Sequence, residues 1–171
     1  MQWTLTSHSK QETHRIGALL GALSRPGDVL LLEGPLGGGK TSLTQGVAGG
    51  MGITAPVTSP TFVLVNEYQE PRRLYHIDLY RIDSPAEAGE LGLDEYFFGR
   101  GVSVVEWPDR APAAMPPEYL HIRMDHTGVR RRRLAFTPKG LRYVDLLRQL
   151  QQVLAQAQAM KAPAKGRARP A

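Results

Sequence analysis

The spacing of apolar residues changes several times along the chain, and each change predicts a new element. "WTLTSH" reads as a short strand. Ile16, Leu19, Leu20 and Leu23 then repeat at helical spacing and predict a helix over residues 9–24, with Ser9-Lys-Gln-Glu12 as a capping box at its start. "RPGD" breaks that helix. "DVLLLE", residues 28–33, is a near-continuous apolar run of the kind found in a strand covered on both faces. A helix is predicted from Lys40 to about Ala48, closed by "GGMG".

Downstream, "TFVLVNEYQE" and "RRLYHIDLYRI" predict two strands joined by the turn "EPR". "SPAEAGELG" predicts a short helix entered through Ser84 and Pro85. "GVSVVEW" is a second buried-type strand. "EYLHIRMD" and "RRRRLAF" read as a hairpin joined by "HTG". A closing amphipathic helix carries Val144, Leu147, Leu150 and Leu154 on one side. Strand and helix alternate early and hairpins dominate later. The fold class predicted is α/β: a single three-layer domain, its mixed central sheet flanked by helices.

Composition narrows this picture in three ways. The 171 residues are 42% hydrophobic and 22% charged, ordinary proportions for one globular domain with a real core. The chain has no cysteine, which excludes disulfides and thiolate metal sites. No apolar run approaches the ~20 residues of a membrane span, and the N-terminus lacks the charged-then-apolar order of a signal peptide. A cytoplasmic protein with no membrane association is the expectation.

The net charge of +5 is unevenly placed. Lys161, Lys165, Arg167 and Arg169 contribute +4, leaving 5 − 4 = +1 for residues 1–160. The division expected is therefore a near-neutral domain over 1–160 and a basic, Ala/Pro-rich, disordered tail over 161–171.

The chemistry concentrates in "LLLEGPLGGGKTSLTQG", residues 30–46. Its spacing Gly34-x-x-x-x-Gly39-Lys40-Thr41 lies between a buried-type strand and a helix, as a phosphate-binding loop requires. Gly37, Gly38 and Gly39 let backbone N–H groups converge on an anion. The following helix adds its positive dipole end. Lys40 has the reach for β- and γ-phosphates, Thr41 supplies a hydroxyl suited to Mg²⁺, and Ser42 stands on the phosphate side.

Phosphoryl chemistry also needs an acid near the end of a buried strand. Asp78 in "LYHIDLY" and Glu106 in "GVSVVEW" are the two candidates. Asp78 lies between apolar neighbours, where a carboxylate is costly unless paired or metal-linked. "TSPTF" offers Ser59 and Thr61 on a stiff turn able to act as a nucleotide-sensing switch. Trp107 directly follows Glu106 and is placed either to line a cleft or to enter the core. The five histidines lack metal-ligand spacing and read as structural or surface residues. Arg130 to Arg133 alternate along a predicted strand, so that half the run is solvated and one arginine is free to reach a nucleotide.

No Asn-Lys-x-Asp segment is present to read guanine, which moves the base toward adenine. Three other classes fit parts of the pattern: a small-metabolite kinase, a non-catalytic nucleotide-sensing adaptor, and an RNA-binding module using the arginine run and the tail. The near-neutral body counts against the last.

Set in order, "GPLGGGKTSLTQGVAGGMG", "VTSPTFVLVNEY", "LYHIDLYRI", "ELGLDEYF" and "VSVVEWPDR" resemble the TsaE family over about residues 5–137. The resemblance implies a P-loop ATPase serving bacterial tRNA threonylcarbamoyladenosine synthesis, with ATP and Mg²⁺ as cofactors. It implies a TsaD–TsaB-like complex as partner and transferase, with tRNA met indirectly through it. By the same resemblance Gly37 to Ser42 surround the phosphates, and Thr41 and Glu106 bind Mg²⁺. Asp78 is the strand aspartate needed for hydrolysis, Thr61 the switch threonine, and Trp107 a residue beside the site. Ser9 and Arg132 match positions near the adenine and ribose end. The family usually carries an acid where this chain has Pro35.

Overall fold

The computed structural model describes residues 2–161. The expected basic tail lies outside the described residues apart from Lys161, which ends the last helix.

The chain forms β1 (Trp3–Ser7), α1 (Lys10–Leu23), β2 (Val29–Glu33), α2 (Lys40–Gly50), β3 (Val65–Tyr68) and β4 (Leu74–Asp78). It continues as α3 (Pro85–Glu90), α4 (Leu93–Phe97), β5 (Val102–Glu106), β6 (Tyr119–His126), β7 (Arg132–Lys139) and α5 (Leu141–Lys161), with two single 3₁₀ turns between β5 and β6. One seven-stranded sheet runs in the order β1-β7-β6-β2-β5-β4-β3. Its centre is parallel, with β2 between β5 and β6 and β4 beside β5. The pairs β1/β7, β6/β7 and β3/β4 are antiparallel. The sheet is mixed and flanked by helices on both faces, as the element order implies.

Alternation along β2 makes the two layers. Leu30 and Leu32 enter a core with Ile16, Leu20, Leu43 and Val47, which α1, α2 and α5 cover. Val29 and Leu31 enter the opposite core with Ile77, Ala88, Leu93 and Phe97, which α3 and α4 cover. Successive strand residues point to opposite faces, so an unbroken apolar run is what a strand buried on both sides requires.

α1 and α2 approach closely because both carry glycine at their crossing. A Cβ on Gly21 would collide with the Val47 carbonyl, and one on Gly46 with that of His14. This packing brings the start of α1 beside the start of α2. Ser9 caps α1 by accepting from the Glu12 N–H at 3.0 Å.

The structure shortens the two middle strands. The chain turns through Thr61–Val63 instead of entering a strand there, and β3 begins only at Val65. The Leu64 N–H donates to the Pro60 carbonyl at 2.6 Å, and Leu64 takes a left-handed φ of 66°. Phe62 and Val63 are left exposed. β4 ends at Asp78, where the Tyr80 N–H bonds the Asp78 carboxylate and turns the chain away. Arg130 and Arg131 fall in the hairpin loop, leaving only Arg132 and Arg133 on β7. On α5 the buried face is Tyr143, Leu146, Leu147 and Leu150, with Val144 turned to its margin.

Candidate active site

The carboxyl ends of β2, β4 and β5 meet at one edge of the sheet, the position where open α/β sheets bind ligands. β2 delivers the glycine-rich loop, β4 delivers Asp78, and β5 delivers Glu106 followed by Trp107. Between them lies a cleft of about 720 Å³. Every site residue expected from the sequence lines it: Gly37 to Ser42 on the floor, Thr61, Asp78, Glu106 and Trp107 on one set of elements, Ser9 and Arg132 on another.

Gly37 and Gly39 take φ of 72° and 99°, values that favour glycine. At Gly39 a Cβ would also press on Met124 at 3.3 Å, with Arg132 and Thr13 just beyond. The loop, α1 and the β6–β7 hairpin are therefore packed together, and only a residue without a side chain fits there. The Gly38 N–H donates to the Pro35 carbonyl at 3.0 Å. Pro35 contributes its carbonyl to the inside of the loop and does not line the cleft.

Lys40 is 4% exposed and folds back over this loop. Its ammonium donates to the Gly34 carbonyl at 2.7 Å and the Pro35 carbonyl at 2.9 Å. It also stands 4.3 Å from the centre of the Trp107 ring. Burial pulls its pKa below the ordinary lysine value, while Glu106, Asp78 and Asp109 pull it upward. Trp107 holds a left-handed φ of 59° and packs against Tyr80, with ring centres 5.0 Å apart.

The two acids are neighbours in register, Asp78 opposite Glu106, and each is only 3% exposed. Their local partners differ. One Asp78 oxygen accepts from the hydroxyls of Thr61 at 3.0 Å and Ser59 at 3.2 Å, and the other from the Tyr80 N–H at 2.9 Å. Glu106 meets the His76 ring at 2.8 Å.

This pairing fits a hard cation. Two buried carboxylates side by side repel one another unless positive charge lies nearby. The buried Lys40 ammonium supplies part of that charge, as the pull of both acids on its pKa indicates, but it hydrogen-bonds two carbonyls and neither acid. With the Thr41 hydroxyl, the acids give an all-oxygen donor set of the type Mg²⁺ accepts. No group of three or more His, Cys, Asp or Glu that could hold a metal occurs among the described residues. Mg²⁺ commonly needs only one or two carboxylates, completing its shell with water and phosphate oxygens.

Several cleft residues escaped the sequence reading. Lys10, Gln11 and Thr13 enter from α1 and Tyr80 from beyond β4, while two of the four arginines in the expected run, Arg130 and Arg132, reach the cleft. His76, read as structural, touches Glu106 directly. The two-residue offset from Asp78 was its one visible signal, since it places both side chains on one face of a strand.

A family model described as threonylcarbamoyl adenosine biosynthesis protein TsaE matches residues 7–134. The Bacillus subtilis (strain 168) protein named tRNA threonylcarbamoyladenosine biosynthesis protein TsaE is 46% identical over 141 residues, covering 82% of this chain and 88% of its own. A protein of the same name from Nostoc is 41% identical over 143 residues, covering 81% and 87%. The crystal structure of YdiB from Bacillus superposes with a TM-score of 0.80 at 40% identity, covering 90% of this chain and 96% of that one. With the family model spanning most of the chain and the fold shared along its length, this chain belongs to the TsaE family.

Proposed function

We propose that this protein binds ATP with Mg²⁺ in the cleft and hydrolyses the γ-phosphate in support of threonylcarbamoyl modification of adenosine in tRNA. The reading is supported above all by convergence: residues from Ser9 to Arg132 line the one cleft into which the glycine-rich loop opens.

The backbone N–H groups of Gly37 to Ser42 receive the phosphates, aided by the start of α2. Lys40 exchanges the Gly34 and Pro35 carbonyls for phosphate oxygens, a stronger, charge-assisted contact. Thr41, Glu106 and Asp78 hold the cation. When bound, Mg²⁺ offsets the charge on the phosphate oxygens. Asp78 orders the attacking water and, through Thr61 and Ser59, ties the loop before β3 to the state of the site. α1 and the hairpin, with Ser9 and Arg132, border the nucleoside end.

The protein acts in this reading as an ATP-driven helper of a TsaD–TsaB-like complex in the cytoplasm. That complex carries out the transfer and meets the tRNA. The described residues form one ATPase domain, and the basic tail is accessory to it. Among the described residues no helix is long and apolar enough to cross a membrane.

Phosphate release from ATP by the purified protein, alone and with the partner complex, tests the reading. Slow release that rises with the partners and vanishes in Lys40→Ala supports it. Equal release by Lys40→Ala refutes it.

A further inference from the structure

The geometry points to His76 as a positioning residue that holds the Glu106 carboxylate in its working orientation. The inference rests on the reading of Glu106 as a site carboxylate.

His76 lies two residues before Asp78 on β4 and pairs with Val104, two residues before Glu106 on β5. All four side chains therefore share one face of the sheet. His76 is completely buried, and its Nε2 is 2.8 Å from Glu106 Oε1. Its other ring nitrogen, Nδ1, is buried with no hydrogen-bond partner among the described residues.

The tautomer follows from these partners. An ionised carboxylate only accepts, so Nε2 carries the proton and donates. A second proton on Nδ1 would be a buried donor with no acceptor, which is costly. The ring then fixes one Glu106 oxygen by a hydrogen bond. An arginine or lysine there would neutralise the carboxylate and compete with a cation for it.

The arrangement answers a problem set by the register. Asp78 and Glu106 are adjacent, buried and alike in charge, so either would swing away if free. Asp78 is held by Ser59, Thr61 and the Tyr80 N–H. His76 does the same for Glu106. Partners that orient a metal-binding carboxylate are worth about 10- to 100-fold in metal affinity or activity when removed.

The test compares His76→Leu, which fills space without a donor, with His76→Gln, whose amide N–H reaches the Nε2 position. Thermal stability, ATP turnover against Mg²⁺ concentration, and long-range ¹H–¹⁵N correlation of the histidine rings are measured. In metal-free protein, the His76 ring should show protonated Nε2 and bare Nδ1, and its signals should shift in Glu106→Ala. His76→Leu should lose about 10- to 100-fold in turnover and need more Mg²⁺ for half-maximal rate. The KM for ATP should change less than about threefold, and His76→Gln should recover most of the loss. In a Glu106→Gln background, His76→Leu should add less than about twofold.

An Nδ1–H tautomer, or ring signals indifferent to Glu106→Ala, overturns the inference. So does a His76→Leu protein with wild-type turnover and Mg²⁺ dependence, or one whose loss is undiminished in the Glu106→Gln background. Absence of ATP turnover in the wild type refutes the ATPase reading instead, and the ring spectra then decide the role of His76 alone.

Discussion

Asp78 and Glu106 stand side by side at the ends of two parallel strands, yet they answer to different parts of the molecule. Asp78 is tied to the exposed turn through Ser59 and Thr61, Glu106 to the buried His76. The site thus has one acid hydrogen-bonded to an exposed turn and one anchored in the core. Asp78→Asn keeps the acceptor for the Tyr80 N–H and a polar group toward the hydroxyls, while removing the charge. Its melting temperature should stay near wild type and ADP should still bind. ATP turnover should fall about 100-fold or more, the scale at which preorganised electrostatic groups act. Turnover within threefold of wild type would remove Asp78 from the chemistry.

Lys40 rests over Trp107, a contact of about 0.5–2 kcal/mol. If the ammonium transfers to phosphate as proposed, the ring should lose its cation and its emission should change. In a Trp3→Phe background, titration with Mg·ADP should give a saturable fluorescence change. Lys40→Ala should abolish it. Emission that does not respond to saturating Mg·ADP would contradict the transfer of the ammonium away from the ring.

The crossing of α1 and α2 sets where Ser9 stands relative to the phosphate loop. A side chain at Gly46 meets the His14 backbone, which cannot retreat as a flexible side chain can. Gly46→Ala should cost about 1–3 kcal/mol and lower the melting temperature by roughly 2–12 °C. Gly49→Ala, on the same helix, meets only the His14 ring edge at 3.8 Å and should be neutral or stabilising. Equal stabilisation by the two would mean that helix propensity, not the crossing, governs the pair.

Far from the cleft, Arg142 grips Asp28 through Nε at 2.9 Å and Nη2 at 2.6 Å, and Asp28 is 4% exposed. The Asp28 hydrogen bond raises the Arg142 pKa, so the guanidinium remains charged. Arg142→Ala leaves the buried carboxylate with the Arg25 N–H as its one remaining partner among the described residues and should cost about 3–5 kcal/mol. Removing both partners together should cost less than Arg142→Ala alone. Chemical denaturation of the two variants distinguishes these outcomes. A double variant less stable than the single one would show that Asp28 is satisfied without Arg142.

Much of this was legible in sequence because the chemistry dictates residue type and spacing together. A loop that admits phosphate needs glycine, a lysine and a hydroxyl at fixed intervals. The strand before it, "DVLLLE", announces burial on both faces by its lack of alternation. What the sequence hid depends on contacts between distant segments. "TFVLV" has the composition of a strand, but Ser59 and Thr61 bind Asp78 and bend the chain before Val65. α4 is only five residues long, and Leu93 and Phe97 at helical spacing were its sole trace. The partner of His76 lies 30 residues away and is brought to it by the β4–β5 register. No local pattern carries that information.

The most direct test of the central claim is repeated formation of threonylcarbamoyladenosine in tRNA by a reconstituted system. It would contain this protein, a TsaD–TsaB-like complex, ATP and Mg²⁺, with product counted per transferase complex. Wild type should sustain many rounds, whereas Lys40→Ala and Glu106→Ala should stall after about one. If both variants sustain as many rounds as wild type, ATP hydrolysis in this cleft does not drive the modification.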